Sequence, residues 1–542
     1  MTDALDFPRC PESFAATYRA KGYWTSETLG GMLRRLARET PDGVAVSDER
    51  ERLTYAELDA RADQLADGMA GRGLRAGDRV VVQLPNSVKF LETIFGLFRL
   101  GAIPVFALPT DRVSEITHIF QGASATAYVI QDVALGYDYR AIAKGVAERL
   151  GKLESIIVVG EAGPYIPFES LYGKRIALPE RDASEPALIT LSGGSTALPK
   201  LIVRTHEDYL YSFKASAEIC RLDRTSVYLC VLPAGHNFPL SSPGYLGVLH
   251  AGGRVVMSSD PSGSSAFALI EREKVTFTAL VPGLALAWLR AKKDRDLSSL
   301  QFLQVGGAKL SAETAAQLVA AFGCKLQQVY GMSEGLVCYT RLDDGPERIL
   351  HTQGLPISID DEIKIVDESD QPVSGETVGE LLVRGPYTIR GYLNAREHNA
   401  RAFTPDGFYR TGDTVSRRPD GYLVVEGRLK DQVNRGGEKI AAEEVEGHLQ
   451  ACPGVREAAV VGVPDPYLGE AGCAFLVADP EKALTVRDVK SFVRQRGIAA
   501  FKVPDRVQFV AALPKTTLGK VDKKELRKLL SQAGKAGAGA ER

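Results

Sequence analysis

Seven cysteines in 542 residues, scattered over positions 10, 220, 230, 324, 338, 452 and 473, contain no C-x-x-C pair. Neither a zinc ribbon nor a disulfide framework is indicated by that spacing. Charge of one sign is lacking too. With 66 Lys+Arg against 68 Asp+Glu, the formal net charge is −2, which gives no global reason to expect nucleic acid. An anionic substrate would have to be held by a few placed cations. The most apolar stretch, 90–108, is broken by Glu92, Arg99 and Pro104. A membrane span needs ~20 apolar residues nearly free of charge, so this stretch reads as core. The opening MTDALDFPRCPESF has no basic region followed by an apolar run, and no signal peptide is expected. Repeats are absent as well. The expectation is a soluble cytoplasmic protein with neither membrane nor nucleic-acid partners.

The composition that remains is that of a folded protein, 44% hydrophobic and 25% charged. The length suits several domains, or one large α/β body with an appendage. Thr54 and Glu57 fit a capping box, followed by Leu58, Ala62, Leu65 and Met69 at helical spacing. A β-branched run at 79–84 follows Gly73, and further strand candidates lie at 187–191, 227–232, 254–257, 277–281 and 302–305. Helices alternating with such runs predict an α/β fold, with ligands at the strand ends. After residue 360 the texture changes to a small β subdomain, about 360–430. From 431 a separate α+β unit is expected, with a helix at 441–450, a strand at 456–463 and a helix opened by Thr485 and Asp488. The domain boundary is placed between 430 and 431.

The most informative string is Leu191-Ser192-Gly193-Gly194-Ser195-Thr196-Ala197-Leu198-Pro199-Lys200. Glycines let backbone N–H groups approach phosphate oxygens, hydroxyls add donors, and lysine adds charge. The string is neither a Walker A loop nor G-x-G-x-x-G. It also misses the nucleophile elbow, because Ala197 stands where the second glycine belongs. An ordinary surface turn is the alternative.

Further strings follow in order: Tyr330-Gly331-Met332-Ser333-Glu334, Tyr409-Arg410-Thr411-Gly412-Asp413, Gly427-Arg428-Leu429-Lys430-Asp431, Asn434 to Ile440 (NRGGEKI), and Pro514 to Lys520 (PKTTLGK). Together with the glycine-rich loop they resemble the motifs of the adenylate-forming superfamily of acyl-CoA synthetases, peptide-synthetase adenylation domains and luciferases. The match covers nearly the whole chain. It implies a large multi-sheet N-terminal domain and a small mobile C-terminal domain. It also implies ATP and Mg²⁺ as cofactors. The chemistry is the joining of a carboxylate to the α-phosphate of ATP with release of pyrophosphate, where positioning and cationic stabilisation dominate.

Roles carried over by this resemblance are as follows. Lys520 is the catalytic cation, and Glu334 holds Mg²⁺, a hard cation suited to oxygen ligands. Asp413 accepts from the ribose hydroxyls, with Arg428 beside it. Gly306, Gly307 and Ala308 let adenine lie against backbone, Tyr330 stacks on it, and Val329 lines the cleft. Ser192, Gly193, Gly194, Ser195, Thr196 and Lys200 meet the phosphates; Gly331, Met332, Ser333 and Lys439 complete the nucleotide site. Lys430 is the hinge about which the C-terminal domain rotates between two half-reactions. Gly436 and Gly437 then flank a tunnel for the thiol of a phosphopantetheine arm.

The stretch Gly235-His236-Asn237-Phe238-Pro239-Leu240-Ser241-Ser242-Pro243-Gly244 narrows the acid. Amino-acid-activating domains carry an aspartate here to pair an ammonium. Neutral Asn237 leaves such a charge unpaired in a dry pocket, whereas an amide suits a phenolic hydroxyl ortho to a carboxylate. With KLIVRTHEDY, GLVCYTRLDD and HTQG, the string resembles the stand-alone aryl-acid adenylases of siderophore synthesis, particularly those for 2,3-dihydroxybenzoate. That resemblance puts the 2-hydroxyl on Asn237, the 3-hydroxyl on Ser242, the ring edge on Val337, and the carboxylate near Gly307 and His236. It implies an aryl carrier protein as partner in nonribosomal peptide synthesis. Phe238 and Cys338 depart from the dihydroxybenzoate pattern, so salicylate or another ortho-hydroxy aryl acid such as 3-hydroxypicolinate stays open. Two other classes stay open as well. One is an α/β hydrolase using Ser195; the other is a non-catalytic binding scaffold.

Overall fold

The structure, a computed structural model, describes residues 5–537 except 152, 154, 175–177, 180, 193–198, 293–294, 436–437, 466–467, 497–499 and 517–518. At 430, 432, 434, 438, 439, 469, 500 and 531–537 it describes backbone alone. Gly193, Gly194, Ser195, Thr196, Gly436 and Gly437 therefore lie outside the described residues.

The expected helix caps form. Thr54 accepts the N–H of Glu57 while the Glu57 carboxylate accepts that of Thr54, opening the helix Tyr55–Gly71. The helix Val88–Leu100 starts where Ser87 Oγ accepts the Phe90 N–H and stops at Gly101, whose φ is 78°. It is buried on nearly every face, so the apolar stretch is core. Its Arg99 lies buried between Asp59 and Asp63 of the preceding helix, 3.0 Å from Asp63. A buried guanidinium needs such partners.

Two large sheets build the main body. One runs in the spatial order Leu355–Pro356, Val337–Tyr339, Lys325–Gly331, Phe302–Gly306, Phe277–Leu280, Val227–Cys230, Arg254–Met257, Val44–Ser47, Arg52–Thr54. Its centre is parallel, from Lys325–Gly331 across to Val44–Ser47. The other has Leu201–Thr205 antiparallel to Pro186–Leu191 at one edge and parallel strands beyond. A four-stranded antiparallel sheet, Glu362–Val366, Gly379–Arg384, Tyr409–Arg417 and Leu423–Arg428, follows as the change of texture predicts.

That sheet ends at Arg428, and the next begins with Gln432–Arg435. The last sheet pairs Gln432–Arg435 with Glu438–Ala441 and Gly469–Ala478, which continues to Val455–Asp465 and Arg506–Phe509. The helices Ala442–Gln450 and Val486–Gln495 cover it, the second opened by the predicted Thr485/Asp488 box. The four-stranded sheet shares its apolar core with Ile202 and Cys338 of the two large sheets, whereas the last sheet packs against its own two helices. Among the described residues no helix is long and apolar enough to cross a membrane.

Candidate active site

Two adjacent strands bring opposite charges together where three sheets meet. In the antiparallel pair Tyr409–Arg417 and Leu423–Arg428, Asp413 lies across from Arg428. Arg428 Nε sits 2.8 Å from Asp413 Oδ1. Tyr330, near the end of the strand Lys325–Gly331, donates its hydroxyl to Asp413 Oδ2 at 2.7 Å. Asp413 is 5% exposed, so the pair is electrostatically strong and needs both partners. Asp413 raises the Arg428 guanidinium, while burial and the same carboxylate push the Tyr330 phenol well above its ordinary value.

Beyond Tyr330 the chain turns through exposed Gly331 and half-buried Met332 and Ser333. Buried Arg204 pins this turn. It donates to the Ser333 carbonyl at 3.0 Å and to the Tyr387 carbonyl at 2.9 Å. Glu334 is buried, and its Oε1 accepts from Tyr392 Oη at 2.8 Å. Tyr392 Oη is itself 2.9 Å from Tyr409 Oη. Burial raises the Glu334 carboxyl, opposed by the Tyr392 hydrogen bond and the charges of Arg428 and Lys200. Lys200 Nζ stands over the Tyr392 ring, 5.4 Å from its centroid. The Lys200 N–H donates to Ser192 Oγ at 3.0 Å, closing the base of the glycine-rich loop.

Lys520 arrives from the far end of the chain. Its amine is lowered from its ordinary value by burial and by Arg428, and supported by Asp413, Glu443 and Glu334. The same charge reaches His236, whose imidazole is depressed to about 4, mainly by burial. His236 Nδ1 accepts the Phe238 N–H at 3.2 Å, leaving Nε2 to carry the ring proton. At neutral pH His236 is therefore an uncharged donor. A contact from Arg496 to Glu313, 2.6 Å, also joins the last sheet's unit to the main body.

The residues expected to meet the acid begin beside His236 in the chain. Asn237 and Ser242 bracket the helix Asn237–Ser241 and are both buried. Gly306 ends its strand paired with Val329. A Cβ there would lie 2.5 Å from the Val329 carbonyl oxygen and 3.2 Å from Phe238 Cζ, so only glycine fits. Gly307 has φ +81°, a left-handed turn that exposes Gly307 and Ala308. Val337, 1% exposed, packs in the core that holds Phe238 and Val329.

Side chains along the strand Val337–Tyr339 alternate. Val337 and Tyr339 face the Phe238 core, whereas Cys338 faces the opposite core with Leu336, Tyr392 and Tyr409. Cys338 thus packs on the other side of the strand from Val337. Tyr339 was not singled out in the sequence. Its hydroxyl lies in reach of Ser216 and Ser242 but closes no well-formed hydrogen bond, as is true of Ser216 Oγ. Tyr209, Tyr392 and Glu443 were likewise missed; the strand alternation could have signalled Tyr339, and the KLIVRTHEDY string contains Tyr209.

Of the residues expected at the site, the structure brings Lys520, His236, Glu334, Asp413, Arg428 and Tyr330 within electrostatic reach of at least one other of the set. The side chains of Lys439 and Lys430 lie outside the described residues. Among the described residues no group of three or more His, Cys, Asp or Glu could hold a metal alone. Glu334, one buried carboxylate, fits a Mg²⁺ whose other ligands are phosphate and water oxygens.

The AMP-binding enzyme family matches residues 33–393, and its C-terminal domain family matches 444–520. The chain belongs to this family of adenylate-forming enzymes. It is 56% identical over 533 residues to a 2,3-dihydroxybenzoate-AMP ligase of Bacillus subtilis, covering 98% of this chain and 99% of that one. It is 46% identical to a salicyl-AMP ligase / salicyl-S-ArCP synthetase of Mycobacterium tuberculosis, covering 96% and 94%. Among solved structures, apo MbtA of Mycobacterium smegmatis has a TM-score of 0.75 at 46% identity, covering 96% and 98%.

Proposed function

We propose that the protein is an aryl-acid–AMP ligase acting on 2,3-dihydroxybenzoate. In the first step the acid's carboxylate oxygen attacks the α-phosphorus of ATP. The acyl–phosphate bond forms, the bond to the β-phosphate oxygen breaks, and pyrophosphate leaves. The observation that carries this reading is the gathering of Lys520, Arg428, Asp413 and Glu334 within electrostatic reach of one another, with His236 and the buried Asn237 following it in the chain.

Lys520 supplies positive charge where negative charge builds in the transition state. An arriving triphosphate offsets the burial and the Arg428 repulsion that lower its amine. Asp413, held by Arg428 and Tyr330, is preorganised to accept from ribose hydroxyls. Glu334 and Lys200 face the phosphates, where Mg²⁺, when bound, would neutralise charge between phosphate oxygens. His236 offers a neutral Nε2–H donor to the acid's carboxylate. Asn237 meets the 2-hydroxyl, Ser242 the 3-hydroxyl, and Val337 the ring edge.

In the second step the acyl group passes to the phosphopantetheine thiol of an aryl carrier protein, in siderophore-type nonribosomal synthesis. The chain divides at 430/431. Lys430 is the hinge that withdraws Lys520, and Gly436 and Gly437 flank the thiol's path. The single 3-10 turn Leu429–Asp431 that joins the two sheets supports a hinge there.

Ser242→Ala tests the acid assignment by ATP–pyrophosphate exchange. The specificity constant for 2,3-dihydroxybenzoate should fall at least tenfold further than that for salicylate, which lacks the 3-hydroxyl. Equal losses for both acids would remove Ser242 from the pocket.

A further inference from the structure

The amide of Asn237 is oriented by its neighbours. Tyr209 Oη is 2.8 Å from Asn237 Oδ1 and donates to it. Ser241 Oγ approaches the same oxygen at 3.4 Å and the Asn237 backbone carbonyl at 3.3 Å. Tyr209 is fully buried on the helix His206–Ile219. Burial moves its phenol far above its ordinary value, so it keeps its proton throughout the working range. The ring is held by the guanidinium of Arg204, 4.9 Å from its centroid, and packs edge-on to Phe213. With the carbonyl oxygen occupied from behind, the capacity left to Asn237 is its Nδ2 amino group, which donates no hydrogen bond to a described residue. An amide in general both donates and accepts; this one is left as a donor.

We infer that Tyr209 is a positioning residue that locks Asn237 as a hydrogen-bond donor, so that the site selects aryl acids carrying an acceptor ortho to the carboxylate and rejects ortho-amino acids. An ortho-hydroxybenzoate turns its phenolic proton inward to its own carboxylate. The phenolic oxygen then presents a lone pair outward, matching Nδ2–H. An ortho-aminobenzoate has its nitrogen lone pair drawn into the ring and presents N–H outward. Donor then faces donor, and the buried amide goes unpaired. The inference rests on the aryl-acid–AMP ligase reading and sharpens its substrate class.

The test is Tyr209→Phe, assayed by ATP–pyrophosphate exchange with salicylate, anthranilate and benzoate. Without the phenol the amide can turn its oxygen toward the ligand. The ratio of specificity constants, salicylate over anthranilate, should fall at least tenfold, about 1.4 kcal/mol. The KM for ATP should stay within twofold. In an Asn237→Ala background the same change should leave the ratio unaltered, because the residue through which Tyr209 acts is gone. An unchanged ratio in Tyr209→Phe, or an equal loss for all three acids, would overturn the role. If Tyr209→Phe does not fold, Ser241→Ala is read in the same way. It should lower the ratio about threefold, since it removes the weaker of the two donors, and an unchanged ratio overturns the role equally. Wild-type protein that exchanges with no aryl acid sinks the underlying reading. Wild-type exchange with an unaltered Tyr209→Phe ratio sinks only the role of Tyr209.

Discussion

Asp361 should make the protein less stable at alkaline pH, and Asp361→Asn should remove that loss. Its Oδ2 accepts from Tyr387 Oη at 2.6 Å and from the Ser358 N–H at 3.2 Å. Its Oδ1 is sealed from solvent with no partner. Burial raises the carboxyl from 3.8 to about 7, with Asp360 adding to the rise. The folded state therefore holds a proton that the unfolded chain has already released. Stability from this group is complete below the unfolded value and is lost as pH rises through the folded one. At about 1.4 kcal/mol per pH unit, the loss between pH 5 and pH 7 is on the order of 3 kcal/mol, and it levels off above. An asparagine cannot ionise, so the difference in stability between variant and wild type should move toward the variant by that amount from pH 5 to pH 8.5. Other titrating groups are common to both proteins and cancel. Thermal unfolding at the two pH values would show it as a gain of several degrees for Asp361→Asn relative to wild type at pH 8.5. A melting difference that does not change with pH would refute the reasoning. Tyr387 Oη also accepts the Val337 N–H at 3.2 Å, so the same carboxyl braces the strand that carries Val337.

Three further outcomes are expected. Lys520→Ala should slow pyrophosphate exchange about 10²–10³-fold, the usual cost of a lost transition-state donor; wild type should lose rate as pH rises through a lysine value below the ordinary 10.5, and the alanine variant should lack that limb. Asp413→Asn should raise the KM for ATP about tenfold, since Arg428 and Tyr330 lose the charge that orders them; equilibrium binding of ATP checks it. Cys338→Asn should cost about 1–3 kcal/mol of stability as an amide buried without a partner, yet leave the preference between 2,3-dihydroxybenzoate and salicylate within twofold, because position 338 faces the core opposite to that of Val337.

The sequence was most legible where short-range physics decides. The Thr54/Glu57 and Thr485/Asp488 boxes and the strand runs depend on neighbours in the chain, and they formed as read. The chemistry-bearing motifs were legible as strings, but their pairing was not. Nothing local ties Tyr330 to Asp413, 83 positions on, or Tyr209 to Asn237, 28 positions on. These contacts exist because separate sheets and helices converge. The direction of the Asn237 amide and the turn of Cys338 toward the opposite core belong to the same class. Each depends on which face of an element meets which core, and adjacent residues on one strand can face opposite cores.

The central claim is tested most directly by ATP–pyrophosphate exchange with a panel of 2,3-dihydroxybenzoate, salicylate, 3-hydroxypicolinate, anthranilate, benzoate and an aromatic amino acid. The account predicts label exchange that depends on the acid, is highest for 2,3-dihydroxybenzoate and is lower for salicylate. Exchange with none of the panel, or a preference for the amino acid, would contradict it.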